Sequence, residues 1–145
     1  MRFPETFVVD ASVGVKLFLD ESGSDEAERL FALLGRDPPH VIAVPDLFFI
    51  ECANVFRSRA HRRLMTAERV REAFAILRTL PLQTVSSPEI TPLALDLALT
   101  HGLSVYDGTY AALAERLGVA LVTADGKLAR KLVEGGRKAI LLKEG

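Results

Sequence analysis

Phe7-Val8-Val9-Asp10-Ala11-Ser12 decides how the rest of the chain is read. An aromatic and two β-branched residues in succession form a buried central strand, and its C-terminal end falls at Asp10. Further short apolar runs follow the same rule. Val41-Ile42-Ala43-Val44 is a second strand, broken by Pro45, and Leu82-Gln83-Thr84-Val85 a third. Val119-Ala120-Leu121-Val122-Thr123 is a fourth, running into Ala124-Asp125-Gly126, and Ala139-Ile140-Leu141-Leu142 a final edge strand.

Helical patterns lie between the strands. They cover 13–19, then a stretch from the cap-like Ser24 to a stop at Gly35, then one capped by Asp46 that runs through Phe56. A fourth starts at Thr66, a fifth covers about 93–100 and is stopped by Gly102, a sixth opens beside Asp107, and a seventh covers about 127–133. Apolar strands alternating with helices predict a parallel sheet with helices on both faces: a three-layer α/β/α fold in one domain, 1–145. Ligands of such folds sit beyond the carboxyl ends of the strands, where Asp10 and Asp125 both fall.

Four acids stand out: Asp10, Glu51, Asp107 and Asp125. Taken singly, each aspartate reads equally well as a helix N-cap, which stabilises by about 1 kcal/mol. Glu51 lies among Phe48, Phe49, Ile50, Ala53, Val55 and Phe56, with no Lys or Arg within four residues. That helix, apolar nearly all round over its first turns, should lie deep in the fold. A buried lone carboxylate is costly unless a cation or a donor meets it. The four are either unrelated features or one oxygen-rich pocket suited to Mg²⁺ or Mn²⁺.

Bulk properties narrow the class. With 49% hydrophobic and 26% charged residues, the 145-residue chain has the composition of a globular domain with a sizeable core. No apolar run approaches the ~20 residues of a membrane span, and the N-terminus lacks a signal-peptide layout, so the expected compartment is the cytoplasm. The single Cys52 can form no internal disulfide and no thiolate metal cluster. Net charge is −1, but residues 1–51 hold 4 Lys/Arg against 10 Asp/Glu, and 52–145 hold 14 against 9. RNA would therefore have to meet a local basic surface.

Val9-Asp10-Ala11-Ser12, Pro45-Asp46-Leu47 running to Glu51-Cys52-Ala53-Asn54, Tyr106-Asp107-Gly108-Thr109-Tyr110-Ala111-Ala112-Leu113-Ala114 and Val122-Thr123-Ala124-Asp125 together resemble the PIN-domain nucleases, in particular the VapC-type toxins of prokaryotic toxin–antitoxin pairs. The resemblance spans about residues 7–142. It implies a Mg²⁺- or Mn²⁺-dependent endoribonuclease, inhibited by a cognate antitoxin. It carries the family's catalytic, metal-holding acids onto Asp10, Glu51, Asp107 and Asp125, with Asp10 and Asp107 the principal ligands. Ser12, Asn54 and Thr123 match polar residues that support such sites. Gly108 departs from the alanine expected there and should loosen the start of its helix.

The remaining expectations concern partners. Arg59 and Arg62 fall near the Glu51 face by helical spacing, and Lys127, Arg130 and Lys131 follow Asp125; these are candidate RNA contacts or solvated helix ends. His40, His61 and His101 read as loop or surface residues, and Tyr110 as core. Leu30, Phe31 and Leu34, with the apolar positions of the Thr66 helix, exceed what the core needs, which points to a homodimer interface or an antitoxin groove. Three other functions fit these residues less well. An aspartate-based phosphatase usually wants a second acid two residues after the nucleophile, where this chain has Ser12. A catalytically silent scaffold binding RNA or protein would not require all four acids. A dinucleotide-binding oxidoreductase is disfavoured, because no G-x-G-x-x-G follows the first strand.

Overall fold

The computed structural model describes residues 2–143. Five strands, β1 (Thr6–Val9), β2 (Val41–Pro45), β3 (Gln83–Val85), β4 (Ala120–Thr123) and β5 (Ala139–Leu141), form one sheet in the order β3-β2-β1-β4-β5. Every pairing is parallel, with Phe7 opposite both Ile42 and Ala120. Phe7, Val8, Val9, Ile42, Val44, Leu121 and Val122 are fully buried, as strands covered on both faces must be.

The helices are α1 (Ala11–Gly14), α2 (Ser24–Ala32), α3 (Leu47–His61), α4 (Ala67–Leu77), α5 (Ser87–His101), α6 (Val105–Leu117) and α7 (Gly126–Glu134). The chain moves outward from β1 to β3, then returns through α5 and α6 to β4 on the other side of β1. Right-handed crossovers running in opposite directions put their helices on opposite faces, which yields the three layers. The order reverses between β1 and β4, and their carboxyl ends open the crevice that receives Asp10 and Asp125.

Several expectations need correction. Helix α5 begins at Ser87, not near residue 93, because Pro88 stands in the first turn, where its missing N–H leaves no bond unmade. Asp46 stands at the N-cap position of α3, but its side chain makes no capping hydrogen bond: its carboxylate accepts from Ser87 N (3.1 Å) and from the Ser87 hydroxyl, and that hydroxyl in turn receives Leu47 N (3.3 Å). One serine thus joins the starts of α3 and α5. Helix α3 lies less deep than its composition implies. Only the stripe Phe48, Cys52, Phe56 is fully buried, while Ile50 is 70% exposed. Leu30 and Phe31 are core residues, not a surplus for a partner, and Leu34 packs against that core.

Gly108 is the sharpest difference. It is buried where α6 packs on α5, and a Cβ there would stand 2.5 Å from the Ala94 carbonyl oxygen. Glycine permits this close approach and tightens the junction. Gly108→Ala is therefore expected to destabilise by about 1–3 kcal/mol, the usual cost of overpacking. Thermal unfolding of the variant measures it; an unchanged or raised melting temperature would contradict the packing described.

Candidate active site

Asp10 leaves the end of β1 and serves as N-cap of α1, its Oδ1 accepting from Val13 N at 3.3 Å. Two hydroxyls complete its surroundings. Ser12 Oγ donates to Oδ1 at 2.5 Å, and Thr123 Oγ1, at the end of β4, donates to Oδ2 at 2.5 Å. Each hydroxyl oxygen also receives a backbone N–H: Ala124 N to Ser12 (2.9 Å), and Asp125 N to Thr123 (3.1 Å). A hydroxyl has one proton, so both protons are committed to the Asp10 carboxylate. Burial nevertheless dominates: Asp10 is 5% exposed, and desolvation pushes its carboxyl from 3.8 up to about 6 against these hydrogen bonds, with Asp107 adding to the rise.

The other acids arrive from three further segments. Asp107 lies in the first turn of α6, but Ser104 is the cap; its hydroxyl accepts from Asp107 N at 3.0 Å. The Asp107 carboxylate is thereby free of a capping duty. Burial raises its pKa first and the Asp125 charge second, while the Ser104 hydrogen bond and Lys131 oppose. Glu51, half-buried on α3, is raised by burial and then by Asp107, against a 2.5 Å hydrogen bond from the Tyr110 hydroxyl to its Oε1. Asp125 is exposed and caps α7 through Oδ1, which accepts from Lys127 N (3.0 Å) and Leu128 N (3.1 Å).

All four carboxyl residues line one cleft of about 530 Å³, together with Ser12 and Asn54. Among the described residues no Lys, Arg or His lines it. Thr123 is fully buried behind Asp10, and Asn54 is exposed at the wall. A second pocket of about 230 Å³ shares Asp107 and Asp125 and is walled by Lys127 and Lys131; Lys131 Nζ donates to Gly102 O at 2.8 Å. The other candidate RNA contacts stand apart. Arg59 is paired with Glu21 at 3.1 Å, and Arg62 and Arg130 are exposed and line neither cavity.

The donor set suits a hard divalent ion in kind: oxygen throughout, anionic, with no chain cation in the cleft. Among the described residues no group of three or more His, Cys, Asp or Glu side chains is gathered to hold an ion by itself. An ion here would complete its shell with water, as Mg²⁺ commonly does.

The residues 7–132 match the pattern of the PIN domain family. The chain belongs to that family. This PIN domain is 39% identical over 129 residues to Ribonuclease VapC3 of Pyrobaculum aerophilum, covering 86% of this chain and 92% of that protein. It is 34% identical over 124 residues to Ribonuclease VapC12 of Mycobacterium tuberculosis, covering 85% and 89%. Its fold is shared with the structure of VapBC2 from Rickettsia felis bound to a promoter DNA fragment: TM-score 0.68, 15% identity, 94% of this chain and 98% of the other. No helix among the described residues of the PIN domain is long and apolar enough to cross a membrane.

Sequence reasoning missed Tyr110. A buried aromatic at helical spacing looks like any core residue, but Tyr110 stands three positions after Asp107, on the same helix face, and a buried phenol needs an acceptor. Ser104 was also missed as the α6 cap, although Ser104 followed three residues later by Asp107 fits the capping pattern.

Proposed function

We propose that this protein is a divalent-metal-dependent endoribonuclease that hydrolyses RNA phosphodiester bonds, the toxin of a VapBC-type module. One observation carries the reading: carboxyls from four separate segments line a single cleft whose described lining residues include no Lys, Arg or His. The ribonuclease names of its relatives supply the substrate class. Asp10 and Asp107 would hold Mg²⁺ or Mn²⁺, with Glu51 and Asp125 completing the set directly or through water. Such an ion lowers the pKa of water and stabilises charge developing on the phosphate.

The chain's own residues do the rest. Ser12 and Thr123 keep the Asp10 carboxylate oriented and favour its ionised form. Asn54, at the wall of the cleft, would donate its amide to a non-bridging phosphate oxygen. Lys127 and Lys131, in the adjoining pocket, would neutralise the next phosphate along the strand. Arg62 and Arg130, exposed and outside both cavity walls, would act only as outlying phosphate contacts.

The same proposal includes a cognate antitoxin, a cytoplasmic setting and a homodimer. Leu95 (47% exposed) and Leu99 (76% exposed) on α5 supply an apolar surface for such contacts, and Ile50 and Tyr106 do so at the mouth of the cleft. The test uses purified protein and single-stranded RNA. Cleavage should appear with Mn²⁺ or Mg²⁺ and stop when a chelator is added. RNA binding that persists without cleavage and ignores the chelator would instead support a silent scaffold.

A further inference from the structure

We propose that Tyr110 is a positioning residue, whose phenol fixes the Glu51 carboxylate so that the remaining carboxylate oxygen serves the divalent ion. This rests on the metal-dependent reading above and assigns a residue outside the four acids.

The geometry is specific. Tyr110 is 1% exposed, and its hydroxyl donates to Glu51 Oε1 at 2.5 Å. The bond joins α6 to α3, the two helices that carry Asp107 and Glu51 into the cleft. Glu51 needs such a tether. It has three rotatable side-chain torsions, sits beside the 70% exposed Ile50, and makes no ion pair among the described residues. An untethered glutamate must lose that freedom when it engages an ion, which weakens binding. Groups that orient metal ligands from behind typically contribute tenfold or more to affinity, about the effect expected here. The phenol donates at this contact, its oxygen 2.5 Å from Glu51 Oε1, and an ionised carboxylate can only accept.

The test is a double-mutant cycle read by calorimetric titration with Mn²⁺, using the parent, Tyr110→Phe, Glu51→Gln and the double variant. Phenylalanine fills the same space, so Tyr110→Phe should keep a cooperative unfolding transition. It should bind Mn²⁺ about tenfold more weakly and cut RNA with a lower kcat at unchanged KM. In the Glu51→Gln background the same change should have no further effect on Mn²⁺ affinity, since the oriented carboxylate is already gone. Parental affinity in Tyr110→Phe overturns the proposal, as does an equal loss in both backgrounds, which would mark Tyr110 as merely structural. A parent that binds no Mn²⁺ overturns the metal reading and this proposal together; cleavage and Mn²⁺ binding by the parent with an uncoupled cycle overturns only the role of Tyr110.

Discussion

Asp10→Asn is expected to lower metal-dependent RNA cleavage by at least about 100-fold, while leaving the metal-free protein as stable as the parent or more so. The two effects have one source. In the folded protein the Asp10 carboxyl stands at about 6 against an ordinary 3.8, because burial disfavours its charge more than Ser12, Thr123 and Val13 N favour it. A raised acid binds its proton more tightly when folded. Its stabilising contribution is therefore complete below about pH 4 and is lost as pH rises through about 6. Above that, the ionised carboxylate costs the metal-free fold about 3 kcal/mol relative to the protonated form. Glu51 and Asp107 are shifted in the same direction. Asparagine keeps the shape and removes the charge, and the hydroxyls can turn to suit its amide. Melting curves without metal should thus show the parent losing stability between about pH 4 and pH 6, and Asp10→Asn losing less. A variant that cuts RNA like the parent would refute the assignment of Asp10.

Thr123→Val is expected to destabilise the protein by about 1–3 kcal/mol, although the side chain changes by little more than one atom. Thr123 is fully buried and its hydroxyl serves twice, donating to Asp10 Oδ2 and accepting from Asp125 N. Valine leaves a buried carboxylate oxygen and a part-buried N–H without these partners. Losing a donor to the ionised form also pushes the Asp10 carboxyl further up. The rising limb of cleavage against pH should consequently move to higher pH, while Thr123→Ser, which keeps the hydroxyl, should leave that limb in place. Urea unfolding and the pH–rate profile measure the two effects. A Thr123→Val protein with parental stability and an unmoved profile would show that the hydroxyl frame around Asp10 has no energetic role.

What the residues reveal in advance follows from how local each feature is. Asp10 and Asp125 were legible as strand-end acids, because apolar runs mark β1 and β4 and a parallel sheet presents its carboxyl ends to ligands. Glu51 was conspicuous as an unpartnered charge in an apolar helix, yet its partner, Tyr110, lies 59 positions away. Only the packing of α6 across the sheet brings them together. Separation along the chain also hides the Asp46–Ser87 link, 41 positions apart, and the tight contact of Gly108 with Ala94. Local signals also misled. Pro88 and Pro92 put the start of α5 near residue 93 although the helix already contains both, and Leu30 and Phe31 read as surplus because α2 gives no sign of how much sheet it must cover.

The central claim is that acids far apart in the chain act on one divalent ion, and calorimetric titration with Mn²⁺ at about pH 8, above the raised Asp10 carboxyl, tests it most directly. The parent should bind, and Asp10→Asn and Asp107→Asn should each lose that binding while remaining folded. Three proteins that bind Mn²⁺ with equal affinity, or a parent that does not bind it, would contradict the claim.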